Sequence, residues 1–536
     1  MIYRTGKVPF SPDDESAPRS QCAPCPRIGP RKIVVQQYGV NRRKAPGEAV
    51  KKCNGSADFQ SARFYCSSMT GGLEARAPAK NIPFLYFSTV SACGLYKTSS
   101  DPFVLIMDVM KTHLTLLTLF LFLFAGIARG ETSIVVPFDE EKARAASELQ
   151  APAAATKAYL DAVPQERRAK TKAYAHGNYV LGIVDFLFTG AVLMILIAAG
   201  ISVRFRNIAR RITRFRPLQT VLYWVQFLVV VTLIQFPLTI YNSYYREKAY
   251  GLLTQSLSSW LTDQAKGLLI GCILGGLLLM ILYGVLRKAP RSWWLWGSAV
   301  TIVFMIVVVA IAPVFIMPLF NKFTPVKNVE IRESILQMAH EQGIPADEVY
   351  EMDASKRTDR VSAFVNGLLG TMRIVMFDNT LKRCTPEEIQ MIMGHEMAHY
   401  VLNHVWKGIA FFGVLILLGF LFVRWVFAKV LARWPNTGIE GVYDIAGLPL
   451  LWLLLSVFLF VTSPVTNSYS RWTEDEADDF GLNASHQPDG AATTFLKLGE
   501  YRDLDPHPLI EVLFFDHPSG RSRILNAMEW KKTSSQ

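Results

Sequence analysis

The sequence predicts a mainly α-helical, polytopic membrane protein of six to seven transmembrane helices, with a small α+β insertion. Three observations predict it. The 536-residue chain is 51% hydrophobic and only 19% charged, a balance typical of membrane proteins. Six long apolar runs occur at about 179–203, 218–240, 266–286, 294–316, 408–428 and 446–466, each near the ~20 residues a spanning helix requires. Between the fourth and fifth runs lies a water-compatible stretch, 317–407, with mixed helix and strand patterning.

The N-terminal residues 1–109 are rich in Pro, Ser, Gly and Arg and lack sustained periodicity, which reads as a disordered leader, or as a start codon assigned too early. Residues 110–130 have a basic start, a short apolar stretch and a small-residue end, the pattern of a signal peptide or a short first span. Residues 131–178 are Ala-rich and charged and read as a water-exposed helical segment. Four spans fill 179–316 and two fill 408–466, leaving 467–536 as a C-terminal segment.

The net charge is +12, but more than half of the surplus lies in the leader and the rest in short loops. That distribution argues against nucleic acid as a partner and for the lipid bilayer. Cys22-Ala-Pro-Cys25 has no second pair at finger spacing, and Cys272 and Cys384 have no evident partner. Arg204–Arg216 holds six arginines, and Arg287, Lys288, Arg291, Arg424, Lys429 and Arg433 fall in alternate loops on the same side. The positive-inside rule puts these loops in the cytoplasm. The segments 241–265 and 317–407 and the C-terminus are then extracytoplasmic.

Within 317–407, Val329–Gln342 reads as an amphipathic helix. Val349–Met352, Val361–Val365 and Arg373–Phe377 read as strands, the last two joined by a turn bearing Gly367 and Gly370. Thr385-Pro386-Glu387-Glu388 is a helix start with Thr as N-cap, Pro at N1 and Glu at N3. The helix it opens is expected to run through His404. It carries Ile392-Met-Gly-His-Glu-Met-Ala-His-Tyr400, the H-E-x-x-H pattern. His395 and His399 are four apart, hence on one face, and can reach one ion. Glu396 sits one step round and can serve as a base. Solvated His and Glu on a long helix would match by chance; the surroundings weigh against that.

Two histidines leave a zinc ion one protein ligand short. After the last run, Glu474 and Asp478 lie four apart on one helical face. Glu474 is the candidate third ligand, and Asp478 can accept the other ring N–H of a ligating histidine. Asp475, Glu476 and Asp479 compete for these roles. His404, five residues beyond His399, falls off the ligand face and reads as a hydrogen-bond partner. Two His-Pro pairs, His507-Pro508 and His517-Pro518, each offer a histidine for a developing oxyanion, and spacing alone does not choose between them.

The chain resembles the CAAX prenyl protease 1 family, membrane-embedded zinc metalloendopeptidases. The resemblance rests on Pro318–Pro325, Ser355-Lys-Arg357, Arg373–Asp378, Gly394–His399 and Ser470-Arg471 with Glu474, Ala477 and Asp478. Tyr241, Glu247, Tyr250-Gly251, Trp260, Asp263 and Lys266 add to it. It covers about residues 180–530 and leaves out 1–130. It implies one zinc per chain on His395, His399 and Glu474, with Glu396 as general base. The family's His-Pro with Arg six residues after the His selects His517 and Arg523, because Leu513 stands six after His507. These two are the implied oxyanion partners. The family's substrate-binding edge strand carries Asn-Ala-Tyr/Phe; here Ser362, Ala363 and Phe364 stand instead, with Asn366 two residues beyond. The implied substrates are peptides or proteins, prenylated CAAX tails among them. A membrane-protein quality-control endopeptidase without prenyl specificity is the alternative, and a metal-sensing transporter a more distant one. The family's best-known members, in eukaryotic membranes, hold their catalytic side in the cytosol, against the side the arginine loops indicate.

Overall fold

The computed structural model describes residues 133–366, except 136, and 372–534. The leader, the signal-like segment and the turn glycines Gly367 and Gly370 lie outside the described residues. The chain opens with two short helices, α1 (Glu140–Ser147) and α2 (Pro152–Asp161). They are helical as expected but not simply water-exposed. Tyr159, Leu160, Ala143 and Ala146 are buried in a cluster with Phe495, Leu496, Ile524 and Met528 of the C-terminal segment.

Six helices among the described residues are long and apolar enough to cross a membrane. They are built on α3 (Gln165–Ala198), α5 (Arg216–Ile240), α6 (Leu257–Lys288), α7 (Trp293–Ile311), α11 (His404–Arg433) and α12 (Leu448–Ser485). Their shared core includes Leu193, Leu196, Tyr223, Phe227, Tyr283, Phe420 and Leu451. The first apolar run does not continue to residue 203. Gly200, at φ 66°, turns the chain left-handed and starts α4 (Ile201–Ile212), a conformation glycine adopts at no steric cost. The arginine-rich loop is therefore mostly a helix, with Phe205 and Arg206 buried and Arg210 and Arg211 outward. Asp185 lies inside the first apolar run and is not buried among the helices.

The basic segments meet at one end of the bundle. Arg206 pairs with Asp444, Arg287 Nη2 donates to Thr220 Oγ1 at 3.1 Å, and Arg424 Nη1 donates to the Arg291 carbonyl at 3.2 Å. At the other end Leu253 bridges Thr358, and Asn467 Nδ2 donates to the Leu513 carbonyl at 2.7 Å. Two spans change register there through π-helical turns, Tyr241–Arg246 and Ala312–Ile316. Pro237 precedes the first and Pro313 lies in the second, where the missing proline N–H loosens the helical ladder.

The insertion contains β1 (Phe323–Pro325), α8 (Val329–Glu341), β2 (Val349–Met352), β3 (Ala363–Asn366), β4 (Arg373–Phe377), α9 (Asp378–Arg383) and α10 (Pro386–Val401). The strands form one sheet in the order β1-β2-β4-β3. β2 runs parallel to β4, while β1 and β3 are antiparallel to their neighbours. β1 is an element the sequence reading lacks, because three residues carry no periodicity. Between β2 and β3, Ala354–Lys356 forms a short 3₁₀ turn. β3 begins at Ala363 rather than Val361. The Thr380 hydroxyl accepts from the Ser362 amide at 3.0 Å and donates to its carbonyl at 2.6 Å. β3 is an edge strand, with Ala363 and Val365 facing the core that also holds Ile392, Met393 and Met397 of α10. The C-terminal segment adds α13 (Pro488–Leu498), α14 (Pro508–Phe514) and α15 (Gly520–Ser534).

Candidate metal centre

α10 starts as read. Thr385 Oγ1 accepts from the Glu388 amide and Glu388 Oε2 accepts from the Thr385 amide at 2.8 Å, a complete capping box. Lys497 of α13 anchors the same carboxylate at 2.6 Å. The helix does not reach His404. It ends at Val401, and Asn403, at φ 57°, turns the chain so that His404 opens α11.

α10 lies against α12, and the two helices meet glycine to glycine. A Cβ on Gly481 would stand 2.9 Å from the His395 amide nitrogen, and one on Gly394 would stand 3.1 Å from the Gly481 carbonyl. This approach brings Glu474 of α12 to the two histidines of α10. His395 Nε2 is 3.3 Å from His399 Nε2 and 3.3 Å from Glu474 Oε2, and His399 Nε2 is 3.7 Å from Glu474 Oε1. Zinc with ligand bonds of about 2.0–2.1 Å in a tetrahedron separates its ligand atoms by roughly 3.3–3.4 Å. Glu474 Oε2 is buried with no hydrogen-bond partner among the described residues, a costly state that an ion would relieve. The three side chains thus fit a metal ion in spacing and in donor type.

The ring orientations agree. His395 Nδ1–H donates to Asp478 Oδ1 at 2.8 Å, and Arg523 holds that carboxylate with two bonds of 2.6 Å, from Nε and Nη2. This leaves Nε2 of His395 as the lone pair facing the cluster. Withdrawal from water opposes a charge on His395, yet the neighbouring carboxylates of Asp478 and Glu474 hold its pKa up to about 10. The pocket's field therefore favours positive charge at this point. Burial, reinforced by His395, pushes His399 down to about 3 and keeps it in the neutral form that ligates. Withdrawal from water raises the Glu396 carboxyl to about 7; a cation on the adjacent ligand atoms acts in the opposite direction.

Of the two His-Pro histidines, His517 reaches the site. Its Nε2 is 3.3 Å from Glu474 Oε2, and Nδ1 is 2.9 Å from Asp516 Oδ1. His507 instead caps α14, accepting from the Leu509 amide at 3.2 Å. Arg523, expected beside His517 at the oxyanion, turns its Nε and Nη2 to Asp478. Arg471 is a residue for which sequence reasoning found no role. Its guanidinium donates to the carbonyls of Glu511 and Phe515, tying the loop before His517 to α12. An arginine one turn before the ligand Glu was the available signal.

A cleft of about 180 Å³ opens on the cluster, lined among others by Ser362, Ala363, His395, Glu396, His517 and Arg523. Phe364 points to the opposite face of the sheet, edge-on to Phe377. Asn366 ends β3 opposite Arg373.

Comparison with known proteins accords with this geometry. Residues 325–531 match the model of peptidase family M48. Residues 145–322 match that of the CAAX prenyl protease N-terminal domain, described as five membrane helices. The chain is 34% identical over 336 residues to the uncharacterized metalloprotease YhfN of Bacillus subtilis, covering 62% of this chain and 79% of that one. The chain belongs to the CAAX prenyl protease 1 family of M48 peptidases. CAAX prenyl protease 1 of Saccharomyces cerevisiae is 33% identical over 197 residues, 36% of this chain and 44% of its own. The crystal structure of S. mikatae Ste24p shares the fold, with a TM-score of 0.60 at 22% identity over 80% of this chain and 99% of that one. The protein is an integral multi-pass membrane metalloendopeptidase.

Proposed function

We propose that the protein is a zinc endopeptidase that hydrolyses membrane-associated peptides on the extracytoplasmic side, with prenylated CAAX-type tails among its substrates. The observation that carries the chemistry is the convergence of His395, His399 and Glu474, their facing atoms 3.3–3.7 Å apart, beside Glu396 and a cleft bordered by an edge strand. Bound zinc would supply a Lewis acid and lower the pKa of water toward ~7. Glu396 accepts a proton from the attacking water and returns it to the leaving amine. His517 turns Nδ1 to Asp516, and its Nε2, 3.3 Å from Glu474 Oε2, is the nitrogen placed to donate to the substrate carbonyl oxygen as charge develops there. Arg523 acts one step back, holding Asp478 and through it the ring of His395.

An extended substrate adds to β3, the edge strand of the sheet among the described residues, where main-chain bonds hold a peptide without demanding one sequence. Ser362 and Ala363 line the cleft at the start of that strand, and Phe364 and Asn366 continue it. Ser362 stands where the family pattern has Asn, which removes one amide arm toward the substrate. That exchange favours a second reading, a quality-control endopeptidase indifferent to prenylation. Cleavage of a prenylated CAAX peptide compared with an unprenylated, unfolded peptide decides between them. The first reading predicts a kcat/KM at least tenfold higher for the prenylated peptide. Equal rates would support the second.

A further inference from the structure

His395 and His399 occupy the same face of α10, yet their far nitrogens meet different partners. His395 is held by a carboxylate directly. His399 Nδ1 lies 2.9 Å from Nδ1 of His404, whose Nε2 lies 3.1 Å from Glu476 Oε2. The same carboxylate oxygen accepts from Lys407 Nζ at 2.8 Å. His404 is buried, whereas the Glu476 side chain is one-third exposed.

We propose that Glu476 and His404 form a positioning relay that fixes the tautomer and orientation of His399 and so sets the affinity and geometry of the metal site. The inference rests on the zinc reading above. The proton assignment has one self-consistent solution. His399 turns Nε2 to the ligand cluster, so in the neutral ring Nδ1 carries the hydrogen. That N–H donates to Nδ1 of His404, which must therefore be a lone pair. The His404 hydrogen is then on Nε2, where Glu476 accepts it. Lys407 balances the carboxylate's charge and fixes its direction. Ring partners of this kind orient metal ligands and tune their basicity.

The relay exists because of the helix break. On a continuous helix a residue five beyond His399 would be rotated well off its face. The left-handed turn at Asn403 brings His404 back against His399 at the start of α11. The site thus has two arms from α12. Asp478, braced by Arg523, holds one histidine, and Glu476, braced by Lys407 and acting through His404, holds the other.

The test uses full-length protein in detergent, with zinc affinity measured by chelator competition and the ligand field read from the visible spectrum of the Co²⁺-substituted form. His404→Ala is expected to weaken zinc binding about 10–100-fold and shift the Co²⁺ bands. His404→Gln, whose amide oxygen can accept from His399, is expected to recover most of the loss. Glu476→Gln, at a partly exposed position, is expected to weaken zinc binding several-fold with the thermal midpoint of metal-free protein unchanged. It keeps the test open should His404→Ala fail to fold. Wild-type affinity and an unshifted spectrum in His404→Ala would overturn the relay, as would a Gln variant no better than Ala. Wild-type protein that binds no stoichiometric zinc would instead overturn the zinc reading itself.

Discussion

A histidine pair four residues apart is legible in a sequence because helical geometry places both rings on one face. What keeps each ring pointing the right way is much less legible. Asp478 could be read from its spacing to Glu474, whereas Arg523 was recognised but placed at the oxyanion rather than on Asp478. Nothing in linear spacing distinguishes a guanidinium that faces substrate from one that braces a carboxylate. A second buried carboxylate shows how single residues secure the insertion. Asp378 accepts from the Ser355 amide at 2.8 Å, from the Ser355 hydroxyl, and from Lys382 at 2.8 Å. Burial alone would raise its pKa, but the bonds from Lys382 and Ser355 outweigh it and the net shift is downward. A carboxylate with a lowered folded pKa contributes stability above the ordinary aspartate value of about 3.9, and that contribution is lost as pH falls through the folded value. Asp378→Asn is therefore expected to cost about 1–3 kcal/mol at pH 7. Its thermal midpoint should begin to converge on the wild-type midpoint as pH falls below about 4. A constant gap down to pH 3 would show that Asp378 titrates like a free carboxylate.

At the scale of elements, the spans and the start of α10 were legible because each rests on local chemistry. Long apolar runs and the Thr385–Glu388 capping box need no tertiary context. The misreadings fall where the chain bends. Gly200 and Asn403 take left-handed backbone, ending α3 early and separating His404 from α10. One further element-level feature, the crossing of α10 and α12, depends on two glycines far apart in sequence. Gly481→Ala would place a methyl group 2.9 Å from the backbone of His395. Backbone cannot yield as a flexible side chain can, so the helices must separate. The expected cost is about 1–3 kcal/mol in stability, with a weaker zinc site as Glu474 moves away. The same substitution at Gly182, where a Cβ meets nothing within 4 Å among the described residues, is expected to leave zinc binding unchanged. Thermal unfolding and zinc titration of the two variants check the contrast.

At the scale of the molecule, the charge pattern separates the two ends of the bundle. The segments around Arg206, Arg287 and Arg424 meet at one end, while the sheet and metal cluster sit with 241–265 and the C-terminal segment at the other. The positive-inside rule then predicts an extracytoplasmic active site. Single cysteines introduced at exposed Glu341, in the insertion, and exposed Arg210, in the basic segment, give the check. Only the first should react with a membrane-impermeant maleimide in intact cells, and the reverse pattern would place catalysis in the cytoplasm. The membrane bundle and the catalytic insertion were both legible from patterning. The packing of α1 and α2 on the C-terminal helices was not, since it joins segments more than 300 residues apart. Glu396 is the residue on which hydrolysis at this centre depends. Peptide hydrolysis by Glu396→Gln, measured against wild type at equal zinc content, should fall by about 10²–10⁴-fold. Hydrolysis at the wild-type rate, with zinc still bound, would contradict the assignment of this site as a metallopeptidase centre.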